Sequence, residues 1–348
     1  MAYTTIDDPE LYFQTKIYNG TGNSLALTFD GTNDMQPDWV WFKRRDGSAN
    51  HHAYDSVRGV TKALVPNDTD SETGGSQEGT LYFSSFDSDG FTLAGNNYNN
   101  SNKSGQTYVA WSWKESNTTA RFDIITYTGN ATEGRTVSHS LGVVPKLMIV
   151  KNLDASIKWA VYHGSNTANP ETDHLQLQVN DATSDDNSTW NDTAPTSSVF
   201  SVGSSTSTNG NGTSYVAYLF ADEKGYSKHG VYTGNGQASD GPFIYLGFKP
   251  AFTIIKCNSN ADDWRLLDNK RSSSGGNNPN DKNLFGDSAG AEGSSTTNSV
   301  PDGVDFLSNG FKIRQATNGL NGNGRTYIFS AWAENPFVNS NGIPNIAE

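Results

Sequence analysis

Few residues of this chain combine type and spacing in a way that could do chemistry. His51-His52 with Asp55 brings two imidazoles and a carboxylate within five positions, a donor set that suits a transition metal. The corresponding stretches further along are Trp159-Ala160…His163 and Trp264-Arg265…Asp268, so the expectation is a strand of mixed exposure and no metal. Asp87-Ser88-Asp89-Gly90 resembles the opening of a calcium loop, but the later ligands, including a Glu at the right spacing, are missing. Its counterpart, Leu307-Ser308-Asn309-Gly310, offers no equivalent first ligand, and a turn is expected at both. Glycoside hydrolysis needs two carboxylates facing a sugar at a defined separation, and an acid-rich chain supplies many candidates without pairing any. His-Glu-x-x-His does not occur, and the glycine-rich pieces lead into strands and not helices, so neither a nucleophile elbow nor a phosphate-binding loop is expected. Lys43-Arg44-Arg45 with Asp55 and Arg58, and Lys256…Asp268…Arg271, are expected to form exposed ion pairs that protect strand edges. Such pairs are worth less than about 1 kcal/mol each. Asn-x-Ser/Thr triplets such as Asn187-Ser188-Thr189 occur at the frequency this composition produces by chance.

The elements that must position these groups recur. Ile17-Tyr18-Asn19-Gly20 returns as Thr126-Tyr127-Thr128-Gly129 and Val231-Tyr232-Thr233-Gly234. Pro37-Asp38-Trp39-Val40-Trp41-Phe42-Lys43 returns as Pro145…Lys151 and Pro250…Lys256, with the prolines, and likewise the lysines, 108 and 105 positions apart. Eight residues after each Lys stand His51, Trp159 and Trp264. Each copy closes on a Tyr and an apolar run: Tyr108-Val109-Ala110-Trp111-Ser112-Trp113, Tyr215-Val216-Ala217-Tyr218 and Tyr327-Ile328-Phe329. The apolar runs last four to seven residues, are rich in Val, Ile, Tyr, Trp and Thr, and several alternate with period two, which reads as strand. Apolar spacing of the helical kind is essentially absent, so no long helix is expected. The proline before each central strand suits a strand's first residue, where no ladder N–H is needed.

We therefore expect an all-β chain of three tandem homologous β-sandwich, jelly-roll-like modules of about 105 residues. The divisions are an N-terminal arm at 1–15, modules at 16–114, 121–222 and 226–334, and a C-terminal tail at 335–348. The repeat positions that carry this reading are Tyr18, Pro37, Trp39, Lys43, Tyr108, Tyr127, Pro145, Lys151, Trp159, Tyr215, Tyr232, Pro250, Lys256, Trp264 and Tyr327. Residues kept in all three copies shape turns and interiors, and an active site would sit in one copy and break the pattern.

Composition supports a folded chain. Apolar residues make up 34% and charged residues 18%, yet 8 Trp, 15 Tyr and 17 Phe fall in regular clusters. Each can bury roughly 150–250 Å². A net charge of −13, with no basic run, argues against sequence-independent binding to nucleic acid or anionic lipid. Cys257 is the only cysteine, which excludes an intramolecular disulfide and a thiolate metal cluster. Met1 to Asp8 lacks the basic and apolar parts of a secretory signal. Apolar stretches of about six residues fall far short of the roughly 20 that span a bilayer. From these features we expect folding in a cytoplasm, no membrane insertion, no nucleic-acid partner and no cofactor.

The opening Tyr3-Thr4-Thr5-Ile6-Asp7-Asp8-Pro9-Glu10…Tyr12-Phe13-Gln14-Thr15, followed by Gln36-Pro37-Asp38-Trp39-Val40-Trp41, resembles the start of virion structural proteins of marine tailed bacteriophages. The Tyr127-Thr128-Gly129-Asn130 and Tyr232-Thr233-Gly234-Asn235-Gly236 stretches, with Gly247-Phe248-Lys249-Pro250 and Ala333-Glu334-Asn335-Pro336-Phe337, are similar to tail-fibre-like repeats of the same group. The resemblance implies a non-enzymatic virion component, made in the host cytoplasm and released by lysis, whose partners are other tail or capsid proteins. We expect first a tail-fibre or receptor-binding component recognising host cell-surface polysaccharide, with a trimeric homo-oligomer as one assembly. The alternatives are a capsid decoration knob or head fibre and, from another class, a polysaccharide depolymerase.

Overall fold

The computed structural model describes residues 3–72, 82–272, 278–293 and 303–345. The outer ends of the expected arm and tail, 1–2 and 346–348, lie outside the described residues. The chain is all-β, with several antiparallel sheets. Among the described residues the only α-helices are single turns, α1 (Asn187–Trp190) and α2 (Asn318–Asn321).

The first segment contains β1 (Phe13–Asn19), β2 (Leu25–Leu27), β3 (Trp39–Arg44), β4 (His52–Asp55), β5 (Phe83–Asp87), β6 (Gly90–Leu93) and β7 (Thr107–Trp113). A four-stranded sheet of order β1-β7-β3-β4 faces a three-stranded sheet of order β2-β6-β5. The second segment contains β8 (Phe122–Thr128), β9 (Arg135–Ser138), β10 (Leu147–Asn152), β11 (Ala160–His163), β12 (Asp173–Gln176), β13 (Ser184–Asp185), β14 (Val199–Val202) and β15 (Ser214–Phe220). Its large sheet runs β13-β12-β11-β10-β15-β8, with β14-β9 opposite. The third contains β16 (Ser227–Thr233), β17 (Phe243–Tyr245), β18 (Phe248–Cys257), β19 (Arg265–Asp268), β20 (Leu284–Phe285), β21 (Val304–Leu307), β22 (Gly310–Ile313) and β23 (Thr326–Pro336). There the sheets run β16-β23-β18-β19-β20 and β17-β22-β21. In all three large sheets the segment's first strand pairs with its last, and the last pairs with the strand that carries the repeated lysine.

The period-two alternation of the large sheets sorts residues between two cores instead of between core and water. From β3 and β7, Val40, Phe42, Tyr108 and Ala110 face Leu27, Phe83, Phe91 and Leu93 of the small sheet. Their neighbours Trp39, Trp41, Val109, Trp111 and Trp113 point the other way, into a core shared with the other segments. Trp113 and Phe220, which end β7 and β15, and Trp332, at the corresponding position of β23, meet one another there. Their ring centroids are 6.2, 5.4 and 5.3 Å apart, and each pair is tilted by 65–72°, an edge-to-face triangle. A strand covered on both faces reads as continuously apolar, which is why β3, β10 and β15 show almost no exposed position.

Two expectations need correcting. β18 runs through Pro250 and does not start after it, because β23 extends to Pro336 and offers a partner; the ladder breaks with register shifts on either side of the proline, which has no N–H to give. Pro37 and Pro145 do lie just ahead of their strands. The boundaries at 15 and 334 fall inside strands: β1 begins at Phe13, whose ring stacks on Phe252 and Trp332, and β23 ends at Pro336. The arm and the tail also meet, since Asp7 accepts from the Ser340 amide (2.6 Å) and hydroxyl, while Thr4 donates to the Lys224 carbonyl (2.7 Å).

Candidate functional site

The repeated tyrosines form three matching pairs. Tyr18 and Tyr108, Tyr127 and Tyr215, and Tyr232 and Tyr327 sit directly opposite each other across the first and last strands of their sheets. Their rings stack at 5.2, 5.0 and 5.0 Å with interplanar angles of 16°, 15° and 14°. Each hydroxyl donates to a carbonyl of the loop before the last strand, for example Tyr18 to Ser101 (2.8 Å), Tyr127 to Thr208 (2.7 Å) and Tyr232 to Leu320 (2.7 Å). That loop is centred on a buried asparagine that sequence reasoning missed. Asn102, Asn209 and Asn321 stand six residues before Tyr108, Tyr215 and Tyr327, and this constant offset was the available signal. Each side-chain oxygen accepts an amide from the turn after the first strand (Thr21, Asn130, Asn235), and each side-chain nitrogen donates to carbonyls that close the same turn. Gly20, Gly129 and Gly234 let the two turns touch: a Cβ at any of them would stand 2.2–2.4 Å from a carbonyl oxygen across the gap.

The repeated lysines and the aromatic positions after them join the segments. Lys43, Lys151 and Lys256 are buried. Each ammonium donates to the carbonyl of the next residue and to a carbonyl of another segment's loop: Ala289 (3.2 Å), Thr69 (3.0 Å) and Asn180 (3.1 Å). Burial pulls the three ammoniums below their ordinary pKa, Lys43 to about 7 and Lys151 to about 8. Trp159 Nε1 donates to the carbonyls of Val65 and Asp68, and Trp264 Nε1 to that of Gln176. His51 does the same work with Nε2, at 3.0 and 3.1 Å from the carbonyls of Phe285 and Ser288, while Nδ1 accepts from Trp41 Nε1 (2.8 Å). The first segment's loop thus grips the second, the second's grips the third, and the third's returns to the first.

Of the expected ion pairs, Arg44 and Arg45 find partly exposed partners in Asp46 and Glu292, whereas those of Asp55 and Asp268 are not exposed as expected. Asp55 with Arg58 (2.6 Å) and Asp268 with Arg271 (2.5 Å) are sealed from solvent. Asp55 accepts from the Tyr218 hydroxyl (2.6 Å) and Asp268 from Trp111 Nε1 (2.9 Å), each in a neighbouring segment. At the matching position of the second segment, His163 Nε2 lies 3.0 Å from the Phe329 carbonyl. His51 and His52 are likewise fully buried instead of mixed in exposure, because the large sheet is covered on both faces. Burial pushes His52 down to about 3, so it is neutral. With its oxygens given to Arg58 and Tyr218, Asp55 belongs to the contact between segments. Asp87-Ser88-Asp89-Gly90 and Leu307-Ser308-Asn309-Gly310 are both two-residue hairpin turns, and Gly90 and Gly310 each lie against a carbonyl of a crossing strand, Leu27 and Ile244.

The pattern breaks at one edge of the third segment. Phe243 and Tyr245, two residues apart on β17, are 47% and 49% exposed, and Val231 on β16 is 48% exposed. The register against β22, β6 and β14 aligns Phe243 with Ala26 and Thr136, and Tyr245 with Thr28 and Ser138, all solvent-facing and none aromatic. Tyr245 continues into an aromatic cluster supplied by both ends of the chain. The Tyr3 hydroxyl is 3.2 Å from that of Tyr245 and donates to the Gly247 carbonyl (3.0 Å), and Phe337 meets the Tyr3 ring edge-on at 6.5 Å. Burial, with the Tyr245 hydroxyl beside it, raises the Tyr3 pKa and keeps that phenol neutral. Aligning the short Phe243-Ile244-Tyr245 run with its two counterparts would have found this strip.

Cavities among the described residues are small. A polar recess bounded by Glu133, Asn187, Ser188, Asn191, Asp192 and Ser204 holds about 120 Å³. Ligand pockets usually offer roughly 300–1,000 Å³. One group of carboxylates stands at the junction of the first two segments, where burial lifts Glu115 to about 7 beside Asp123 and Asp38. Among the described residues no group of three or more His, Cys, Asp or Glu could hold a metal ion, and no helix is long and apolar enough to cross a membrane. A family model described as a domain of unknown function (DUF7483) matches residues 8–336. No curated protein and no solved structure matches the chain.

Proposed function

We propose that this chain, which belongs to the DUF7483 family over nearly its whole length, is a non-enzymatic surface protein of a tailed-phage virion that recognises cell-surface glycan through the Phe243–Tyr245 strip. One observation carries the reading. Two large aromatic faces are left in solvent on a strand whose counterparts in the other two segments bear only Ala, Thr and Ser at the matching positions. Exposed aromatic faces suit stacking on sugar rings, and a flat strand presents them without the ordering cost of a loop. The non-enzymatic part is supported by how the buried reactive groups are used: His51, Lys43, Asp55 and Asp268 hold one segment against the next. A glycan array probed with the wild-type chain and with Tyr245→Ala tests the binding. Retention on at least one glycan class, lost in the variant, supports it; equal retention by both refutes the assignment to this strip. Release of reducing sugar from bacterial envelopes by the pure chain would overturn the non-enzymatic part.

A second reading, decoration of a capsid, is favoured by the triangle of Trp113, Phe220 and Trp332. That triangle brings corresponding strands of the three large sheets together at one point, an arrangement that would suit a threefold site. Locating the chain in micrographs of intact particles with a label on its exposed Asn339–Asn341 turn separates tail from head.

A further inference from the structure

The charges around the aromatic strip narrow the ligand. The chain carries 37 acidic against 24 basic residues, yet the strip is rimmed by lysines. Lys228 stands 5.5 Å from the centre of the Tyr245 ring and is fixed there by donating to the Tyr245 carbonyl (2.7 Å). Lys224, exposed, lies 4.3 Å over the Tyr3 ring. Lys312 is the direct cross-strand partner of Phe243. The acids nearby neutralise little of this charge. Asp240, 89% exposed, reaches Lys312 at 3.4 Å; Asp305, opposite Lys312 on β21, is taken by Arg314; and Glu223 is turned away to Arg121 at 3.2 Å. Corresponding strands in the other segments carry neither the rings nor this rim.

Resting on the glycan reading above, we infer that the strip takes an anionic polysaccharide, one bearing uronate carboxylates or sulfate esters. Neighbouring sugars stack on Phe243 and Tyr245, whose Cα atoms are about 6.7 Å apart at the usual strand rise. The acidic substituents meet the ammoniums of Lys224, Lys228 and Lys312. The net charge of the remaining surface repels polyanions, so productive contact is confined to this edge, and charge complementarity sets specificity more than affinity. A uronate and a sulfate offer the same chemistry here, and the experiment separates them.

Affinity electrophoresis of the full chain in gels containing polygalacturonate, dextran sulfate or unsubstituted dextran tests the inference, with duplex DNA as a fourth probe. Wild type is expected to be retarded by at least one of the two acidic polysaccharides and by neither dextran nor DNA. Raising NaCl from about 50 to about 500 mM should weaken that retardation roughly tenfold. Lys224→Glu/Lys312→Glu should weaken it by a similar factor, as should Tyr245→Ala. Wild type, whose folding is not in question, carries the salt test independently of the variants. Retardation by dextran that survives the lysine changes but not Tyr245→Ala would overturn the anionic inference and leave the glycan reading standing. Acidic retardation indifferent to Tyr245→Ala, or matched by DNA, would mean unspecific charge attraction and overturn the inference. Silence on all four probes would refute the inference, and silence on the glycan array as well would refute the reading beneath it.

Discussion

Asp287→Asn should make the protein more stable, by an amount that grows with pH. The amides of His51, Trp159 and Trp264 are each capped by a side-chain oxygen from the loop that follows: Asn67 (2.7 Å), Gln178 (2.9 Å) and Asp287 (3.0 Å). Two of the three caps are neutral amides. The third is a carboxyl that burial, helped by the neighbouring charge of Asp263 and opposed by Lys256, lifts from 3.8 to about 7. A raised folded-state pKa means that the stability tied to the protonated form is complete below about 3.8, declines as pH climbs, and is lost above about 7. Three units at roughly 1.4 kcal/mol each set a ceiling of about 4 kcal/mol. Asparagine keeps the acceptor and cannot ionise. Urea unfolding of wild type and variant from pH 4 to 8 should show a small difference at pH 4, a gap opening in the variant's favour through pH 5–7, and a plateau beyond. The lysines pulled down by burial, Lys43 and Lys151, tilt both curves alike, raising stability as pH moves from about 7 towards 10.5, so the difference reports the Asp287 carboxyl together with its coupling to Lys256. A gap independent of pH, or one that narrows as pH rises, would refute the reasoning.

Other outcomes follow from the same contacts. Trp113→Ala removes one corner of the central triangle, and two of its three ring contacts, and should cost about 3–5 kcal/mol, read as a lower urea midpoint. Asn209→Ala strands the Asn130 amide and the carbonyls of Thr132 and Gly203, and should cost about 2–4 kcal/mol in the same assay. Gly129→Ala forces a Cβ to 2.2 Å from the Gly210 oxygen and should lower the melting temperature sharply. Gly105→Ala, at φ +75° in open space, should cost only about 1 kcal/mol. Tyr245→Ala, at a half-exposed ring, should move stability by less than about 1 kcal/mol, so its effect on glycan retention reports binding and not unfolding.

How much of this could be read beforehand depended on the range of the interaction. Tyr18, Tyr127 and Tyr232 announced themselves because a strand's first and last members pair residue by residue, and their offsets along the chain stayed constant. The strand runs around Trp39, Leu147 and Phe252, and the turns at Ser88-Asp89 and Ser308-Asn309, were equally legible, since β propensity and turn chemistry act over a few residues. Asn102, Asn209 and Asn321 were visible in principle but lay among many asparagines of a polar chain. The burial of Lys43, Asp55, Arg58 and Asp268 was not legible at all. Charged residues ordinarily face water, and only a second covering on the far side of the sheet takes that water away.

The amino-acid sequence alone determined an all-β chain, where its strands start and turn, and which tyrosines and glycines recur, because those properties are set by backbone sterics and side-chain alternation among near neighbours. Tertiary structure alone decided that the large sheets are buried on both faces, that repeated lysines and a histidine reach into a neighbouring segment's loop, and that Phe243 and Tyr245 remain in solvent. Those outcomes depend on which surfaces meet across more than a hundred residues of chain, and burial is a property of the whole packing and not of any stretch of it.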